Sequence, residues 1–237
     1  MVGVAVVTGA STGLGAGLVE AFLADGVAAA ACARRTPHVG ALRASVDVTD
    51  AGALDAFCRT VVQELGPVDL WVNNAGVLAP IEPVVDADPA QLAENVRINV
   101  VGTANGCRTY LRHRRDEGGG GVLVNVSSGA ATTAIAAWGA YCASKAAVDM
   151  LTQVIRAEAS VPGLRTYAIA PGLVDTAMQE MIRATPEEVM PDVGRFREAK
   201  AAEAFNSPSW VARNLLAVAR GETTIDWRWR VPAQEEG

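Results

Sequence analysis

The stretch that decides the fold is Val2-Gly3-Val4-Ala5-Val6-Val7-Thr8-Gly9-Ala10-Ser11-Thr12-Gly13-Leu14-Gly15, continued by an amphipathic run to about Asp25. The apolar run Val2 to Val7 reads as a buried strand, the glycine-rich residues as a tight loop, and the amphipathic run as a helix. Glycine at such a turn lets the backbone come close to a pyrophosphate, whose charge is favoured by free N–H groups and the positive end of the helix dipole. The spacing does not fit the ordinary G-x-G-x-x-G. A glycine-rich turn also serves simply to pack a helix against a strand, so the loop taken alone leaves both readings open.

The same alternation continues along the chain. Candidate strands are 27–33, 44–48, 69–73, 122–127 and 165–170, with helical patterns between most of them. Short, nearly continuous apolar strands separated by helices imply a parallel sheet covered on both faces, which is a doubly wound α/β architecture of the nucleotide-binding kind. Two places break the rhythm. Residues 34–43 are too few and too rich in Pro and Gly for a full crossover helix. Residues 173–206 are long and carry Met178, Met181, Ile182, Met190, Phe196 and Phe205 ahead of a late helix over 209–220. Insertions of that kind, placed after a strand's carboxyl end, are where such folds build lids. Residues 1–237 are expected to form one domain, with 173–206 as substrate lid and 221–237 as an atypical C-terminal segment.

Half of the 237 residues are apolar and 19% are charged, so the material for a core is ample and disorder has no compositional basis. A formal net charge of −6 argues against general affinity for nucleic acid or an anionic membrane. The basic run Arg112-His113-Arg114-Arg115 reads as the solvated end of a helix before the glycines at 118–121. Cys32, Cys58, Cys107 and Cys142 show no C-x-x-C spacing; neither a disulfide framework nor a metal site is expected, and the four read as small buried residues in a reducing compartment. No basic region precedes Glu20, the first ionisable side chain, so a signal peptide is not expected. The uncharged stretch 118–144 is broken by Asn, Ser, Thr and Gly and does not read as a membrane span. A cytoplasmic protein is the expectation.

Tyr141 and Lys145 stand out. They are one of three tyrosines and one of only two lysines among twenty basic residues, four positions apart. On a helix that spacing puts them on one face, where the ammonium would favour the phenolate and lower the tyrosine pKa from about 10 by roughly one to three units.

Five motifs in register give the chain its resemblance. T-G-x-x-x-G-x-G from Thr8, Asn73-Asn74-Ala75-Gly76 after a central strand, Ser128 after the fifth strand, Tyr141-x-x-x-Lys145, and Pro171-Gly172 with Thr176, together with Asn99 inside a helix, follow the order and approximate spacing of the short-chain dehydrogenase/reductase superfamily. The resemblance runs from Val2 to about Arg220. It implies a catalytic set of Asn99, Ser128, Tyr141 and Lys145: Tyr141 as acid/base, Lys145 tuning it and reaching the nicotinamide ribose, Ser128 on the substrate carbonyl, Asn99 holding a relay water at a helix kink. Ser127 is the neighbouring alternative to Ser128, and Asn99 could equally cap a local backbone defect. The resemblance further implies coenzyme contacts at Gly9, Ser11, Thr12, Gly13, Leu14, Gly15, Arg34, Arg35, Asp47, Val48, Asn74, Ala75, Gly76, Pro171, Gly172, Val174 and Thr176, besides Tyr141 and Lys145. Asp47 could instead help start the next helix.

Where NAD-specific folds carry an acid for the ribose 2′-hydroxyl, the second strand here ends Cys32-Ala33-Arg34-Arg35. A guanidinium pairs two phosphate oxygens that an acid would repel, so NADP(H) is favoured over NAD(H). Thr12 stands where the family often has a basic residue, which weakens that preference. The expected protein is thus an oxidoreductase interconverting a small-molecule ketone or aldehyde with an alcohol, the alternative being a non-catalytic, redox-sensing regulator of the same fold. A serine hydrolase is set aside for want of a nucleophile elbow and a nearby histidine, and an extended epimerase for want of length. The ending Thr223 to Val231, TTIDWRWRV, departs from the family's Asp-Gly-Gly close; a homodimer or homotetramer is expected, the standard tetramer being in doubt. Trp227 and Trp229 would lie on one face of a final strand, against the core or a partner.

Overall fold

The computed structural model describes residues 1–235. Its elements alternate: β1 (Val4–Thr8), α1 (Gly13–Ala24), β2 (Ala28–Ala33), β3 (Leu42–Ser45), α2 (Ala51–Leu65), β4 (Leu70–Asn73), α3 (Pro89–Val96), α4 (Gly102–Asp116), β5 (Val122–Val126), α5 (Gly139–Glu158), β6 (Arg165–Ala170), α6 (Ala177–Ala184), α7 (Gly194–Ala201), α8 (Pro208–Arg220) and β7 (Arg228–Arg230). A π-helical turn, Arg97–Val101, joins α3 to α4. All seven strands form one parallel sheet in the order β3-β2-β1-β4-β5-β6-β7. This is the doubly wound α/β architecture the alternation of strands and helices implies.

Because a strand's side chains alternate in direction, β1 serves two cores at once. Ala5 and Val7 pack with Leu18 and Phe22 of α1 and Leu215 of α8, while Val4 and Val6 face Leu54 and Phe57 of α2 and Tyr110 of α4. Local signals set the helix ends. Asp50 caps α2 by accepting from the Ala53 N–H at 2.9 Å, and Ser207 caps α8, whose first residue is Pro208. Gly221, at φ +76°, closes α8 in the left-handed conformation that glycine adopts without strain.

Several expectations hold: no helix forms between β2 and β3, and Arg228–Arg230 forms the final strand. The third strand lies earlier than the predicted 44–48. Asp47 accepts from both the N–H and the hydroxyl of Thr49, turning the chain just after the last ladder bond, from the Val46 N–H to the Ala33 carbonyl, and Val46 and Val48 line a cavity wall. Trp229 packs on the core, while Trp227 precedes the strand and is half-buried. Cys142 is half-exposed, unlike the three buried cysteines. His113 and Arg114 are less solvated than expected: His113 Nε2 accepts from the Val68 N–H, and Arg114 donates to carbonyls of Val68, Gly119 and Gly120. Among the described residues no helix is long and apolar enough to cross a membrane.

The sheet order reverses between β1 and β4. Chain segments leaving their carboxyl ends part in opposite directions, which opens a crevice there.

Candidate active site

That crevice is a cavity of about 1300 Å³. Every residue expected to contact a coenzyme lines it, from Gly9 on the first turn to Thr176 beyond β6. The glycine loop and the Asn-Ala-Gly segment are clasped together. Thr8 Oγ1 accepts from the Asn74 and Ala75 N–H groups, both at 3.1 Å, and the Asn74 amide donates to the carbonyls of Thr8 and Gly9. Gly9 sits at φ +66°, where a Cβ would lie 2.5 Å from the Ala75 Cα; a Cβ on Gly15 would strike the Asn74 side chain. The floor left by these missing side chains, below the N-terminus of α1, fits the pyrophosphate of a dinucleotide.

Beyond the carboxyl end of β2, Arg34 and Arg35 are exposed at the cavity wall, and neither is in an ion pair among the described residues. Asp47 and Val48 form the adjoining wall. The helix-starting role is taken by Asp50, and the Thr49 hydrogen bonds hold the Asp47 carboxyl below its ordinary range.

At the other end, Ser128 follows β5 while Tyr141 and Lys145 project from α5, and all three line the cavity. Lys145 Nζ donates to the Val126 carbonyl at 2.7 Å and lies 5.6 Å from the centre of the Tyr141 ring. Asn99 alone of the expected set does not line the cavity. It sits in the π turn, 0% exposed, where its Oδ1 accepts from the Val77 N–H and its amide donates to the Val77 carbonyl, both at 2.8 Å, as well as to Asn95 and Ser144. The extra residue of the π turn is what aims this side chain across at the Asn-Ala-Gly segment. These contacts tie the helix kink at Asn99 to the Asn-Ala-Gly segment.

One expectation is corrected. Lysine does not make the phenol acidic here: burial pushes Tyr141 up to about 12, with the neighbouring Ser128 hydroxyl opposing. Burial also pushes Lys145 down to about 8, opposed by the charge of Asp149 one turn along. Both side chains are under a tenth exposed, and desolvation, which favours the neutral forms, is the largest influence on each.

The remaining wall is apolar. Trp138 meets Tyr141 edge-on at 5.6 Å and packs with Phe196 of α7 at 5.5 Å. The 173–206 segment divides its apolar residues: Met178, Ile182 and Phe196 line the cavity, Met190 is core, and Met181 faces solvent. Asp175 ties this segment together, accepting from Arg183 at 3.0 Å and from Lys200, the second lysine, at 2.6 Å. The Pro171-Gly172 turn is held by Asn206, whose amide donates to the Pro171 carbonyl.

Sequence reasoning missed Asn206, Asn95, Asp149 and Arg228. None belongs to a motif. The only available hint was a polar or charged residue within an apolar pattern, such as Asp149 one turn after Lys145.

Against known proteins, the short chain dehydrogenase family model matches residues 3–187. A benzil reductase ((S)-benzoin forming) of Bacillus cereus is 30% identical over 231 residues, covering 89% of this chain and 92% of that protein. The cis-4-hydroxycyclohexanecarboxylate dehydrogenase of Sinomonas cyclohexanicum is 33% identical over 243 residues, covering 94% and 97%. The crystal structure of the KRED1-Pglu enzyme matches with a TM-score of 0.84 at 29% identity, over 96% of this chain and 99% of that one.

Proposed function

The chain belongs to the short chain dehydrogenase family, and on that premise we propose that it reduces an apolar, ring-bearing ketone or aldehyde to the alcohol with NADPH, with Tyr141 as the proton donor. The observation that carries this reading is the meeting of Tyr141, Lys145 and Ser128 on the cavity that also holds the glycine cradle. When bound, a nicotinamide dinucleotide supplies the hydride.

The chain's own work is to place the carbonyl and to move a proton. The Ser128 hydroxyl donates to the carbonyl oxygen and holds the negative charge that grows there. The Tyr141 O–H gives that oxygen its proton, and a phenol with a pKa near 12 is in the protonated form throughout the neutral range. Lys145, charged below about pH 8, attracts the phenolate left behind and grips the ribose. Trp138 and Phe196 exclude water and select an apolar substrate, and the 173–206 segment acts as a lid over it. Arg34 and Arg35, neither of them in an ion pair among the described residues, take a 2′-phosphate.

The protein works as a homodimer. Val96 at the end of α3, Val101 at the end of the π turn, and Met150 and Val154 on α5 are exposed apolar side chains on helices that pack together, the kind of patch a second subunit covers.

The test is binding of NADPH against NADH, then turnover on a panel of carbonyl compounds, with Tyr141→Phe as control. Tight NADPH binding with no turnover on any carbonyl would favour the redox-sensing regulator instead.

A further inference from the structure

We propose that Arg228, on β7, is a positioning residue for Ser128: its guanidinium holds the Ser127–Ser128 turn from behind, through Asp149 on one side and the Ser128 carbonyl on the other. This rests on the carbonyl-holding role given to Ser128 above.

Arg228 pairs with Ala168 in the β6–β7 ladder, and Ser127 donates its N–H to the neighbouring Ile169 carbonyl, so the register brings the arginine beside the end of β5. Its Nε donates to Asp149 Oδ2 at 2.6 Å, and one terminal nitrogen reaches the Ser128 carbonyl at 3.2 Å and Thr132 Oγ1 at 3.3 Å. The other carboxylate oxygen, Asp149 Oδ1, accepts from the Ser127 hydroxyl. Ser127, through its hydroxyl, and Ser128, through its carbonyl, are therefore held by one ion pair. The Ser128 hydroxyl accepts from the Ala130 N–H, so its aim follows the backbone that this pair holds. The rigid planar fork of arginine suits a carboxylate and a carbonyl lying in different directions, where lysine presents a single point of charge.

Anchoring β7 does not account for the pair. The strand is already held by its ladder to β6, by Trp229 on the core and by the bond from Val231 N–H to the Ala170 carbonyl. Nor does strand anchoring require a carboxylate only 6% exposed on α5. The charged groups facing it are Lys145 from its own helix and Arg228 from the strand.

The decisive variant is the double R228A/D149N, because R228A alone strands a buried charge and can fail to fold for that reason. The asparagine still accepts from Ser127 and strands no carboxylate. Because D149N also removes the charge that keeps the Lys145 proton in place, D149N alone is the reference. The inference expects the double variant to match D149N in melting temperature and NADPH dissociation constant, with kcat for carbonyl reduction lower by on the order of tenfold to a hundredfold through the loosened serine. A kcat equal to that of D149N in the folded double variant overturns it. So does a loss of kcat that only tracks a loss of stability and of NADPH binding. A wild-type chain that binds NADPH yet turns over no carbonyl overturns the functional reading and this inference with it; an active wild type with a double variant as active as D149N overturns this inference alone.

Discussion

Lys145 and Asp149 share one face of α5, a turn apart, and the carboxylate's charge works to keep the ammonium's proton in place against the pull of burial. This sets a pH dependence with a definite sign. Lys145 falls to about 8 in the fold and would titrate near 10.5 in the unfolded chain, which therefore binds the extra proton between those values. Lys145's own contribution rises from pH 8 toward pH 10, by at most about 3 kcal/mol, and is lost again as pH falls through 8. The buried thiols of Cys32, Cys58 and Cys107 oppose it from about pH 9, since each ionises in the unfolded chain well before the fold releases its proton, and above pH 10 Tyr141 adds to them. Urea unfolding of wild type and Lys145→Met from pH 7 to 10 checks this in the difference between the two; a difference that does not change with pH would exclude Lys145 as its source. The same titration predicts that kcat/KM for the coenzyme declines above about pH 8.

Tyr141→Phe removes one oxygen from a buried site and leaves the ring against Trp138. Loss of the proton donor lowers kcat by about 10²- to 10⁴-fold, with NADPH binding intact. Stopped-flow turnover beside a coenzyme titration separates the two effects.

Gly9→Ala combines a left-handed backbone with a Cβ driven toward Ala75. Strain of about 1–3 kcal/mol is expected, together with loss of the pyrophosphate floor. Thermal unfolding should drop by several degrees, and NADPH should no longer raise the melting temperature.

Replacing Arg34 and Arg35 together by alanine removes the charge offered to a 2′-phosphate. Hydrogen bonds to charged groups contribute about 1.5–3 kcal/mol, so the NADPH dissociation constant should rise roughly tenfold to a hundredfold while that of NADH changes little. Calorimetric titration with both coenzymes decides it; an equal loss for both would contradict the assignment.

Asn99→Leu leaves the Val77 N–H without its acceptor in a buried place, while the Val77 carbonyl keeps the Asn95 amide. An orphaned group of this kind costs about 1–3 kcal/mol. Asn99→Asp restores the acceptor but sets a buried carboxylate against the oxygens of Val77 and Asn95, so it should be no more stable than the leucine variant, a comparison that chemical denaturation makes directly.

What the sequence carries most plainly is local chemistry repeated at fixed spacing. The glycine loop, the Asn-Ala-Gly segment and the Tyr141–Lys145 pair were readable because each is a short backbone or helical device whose residue types are dictated by close approach or by one-turn geometry. Three things were not readable. The end of β3 depends on a side-chain turn at Asp47, which hydropathy does not register. The protonation of Tyr141 depends on how deeply the pair is buried, and pairwise spacing shows attraction without showing desolvation. Arg228 acts through Asp149, 79 positions away, and only the order β5-β6-β7 brings the two together.

The chain's two lysines are spent at opposite depths, one buried beneath the tyrosine and one at the surface on Asp175. Amine-directed reagents will thus find a single side-chain handle, Lys200, besides the α-amine, and coupling there severs the tie holding α7. A fluorophore or resin attached by acylation would land on the very segment covering the apolar wall, so immobilised preparations should be linked through another functional group.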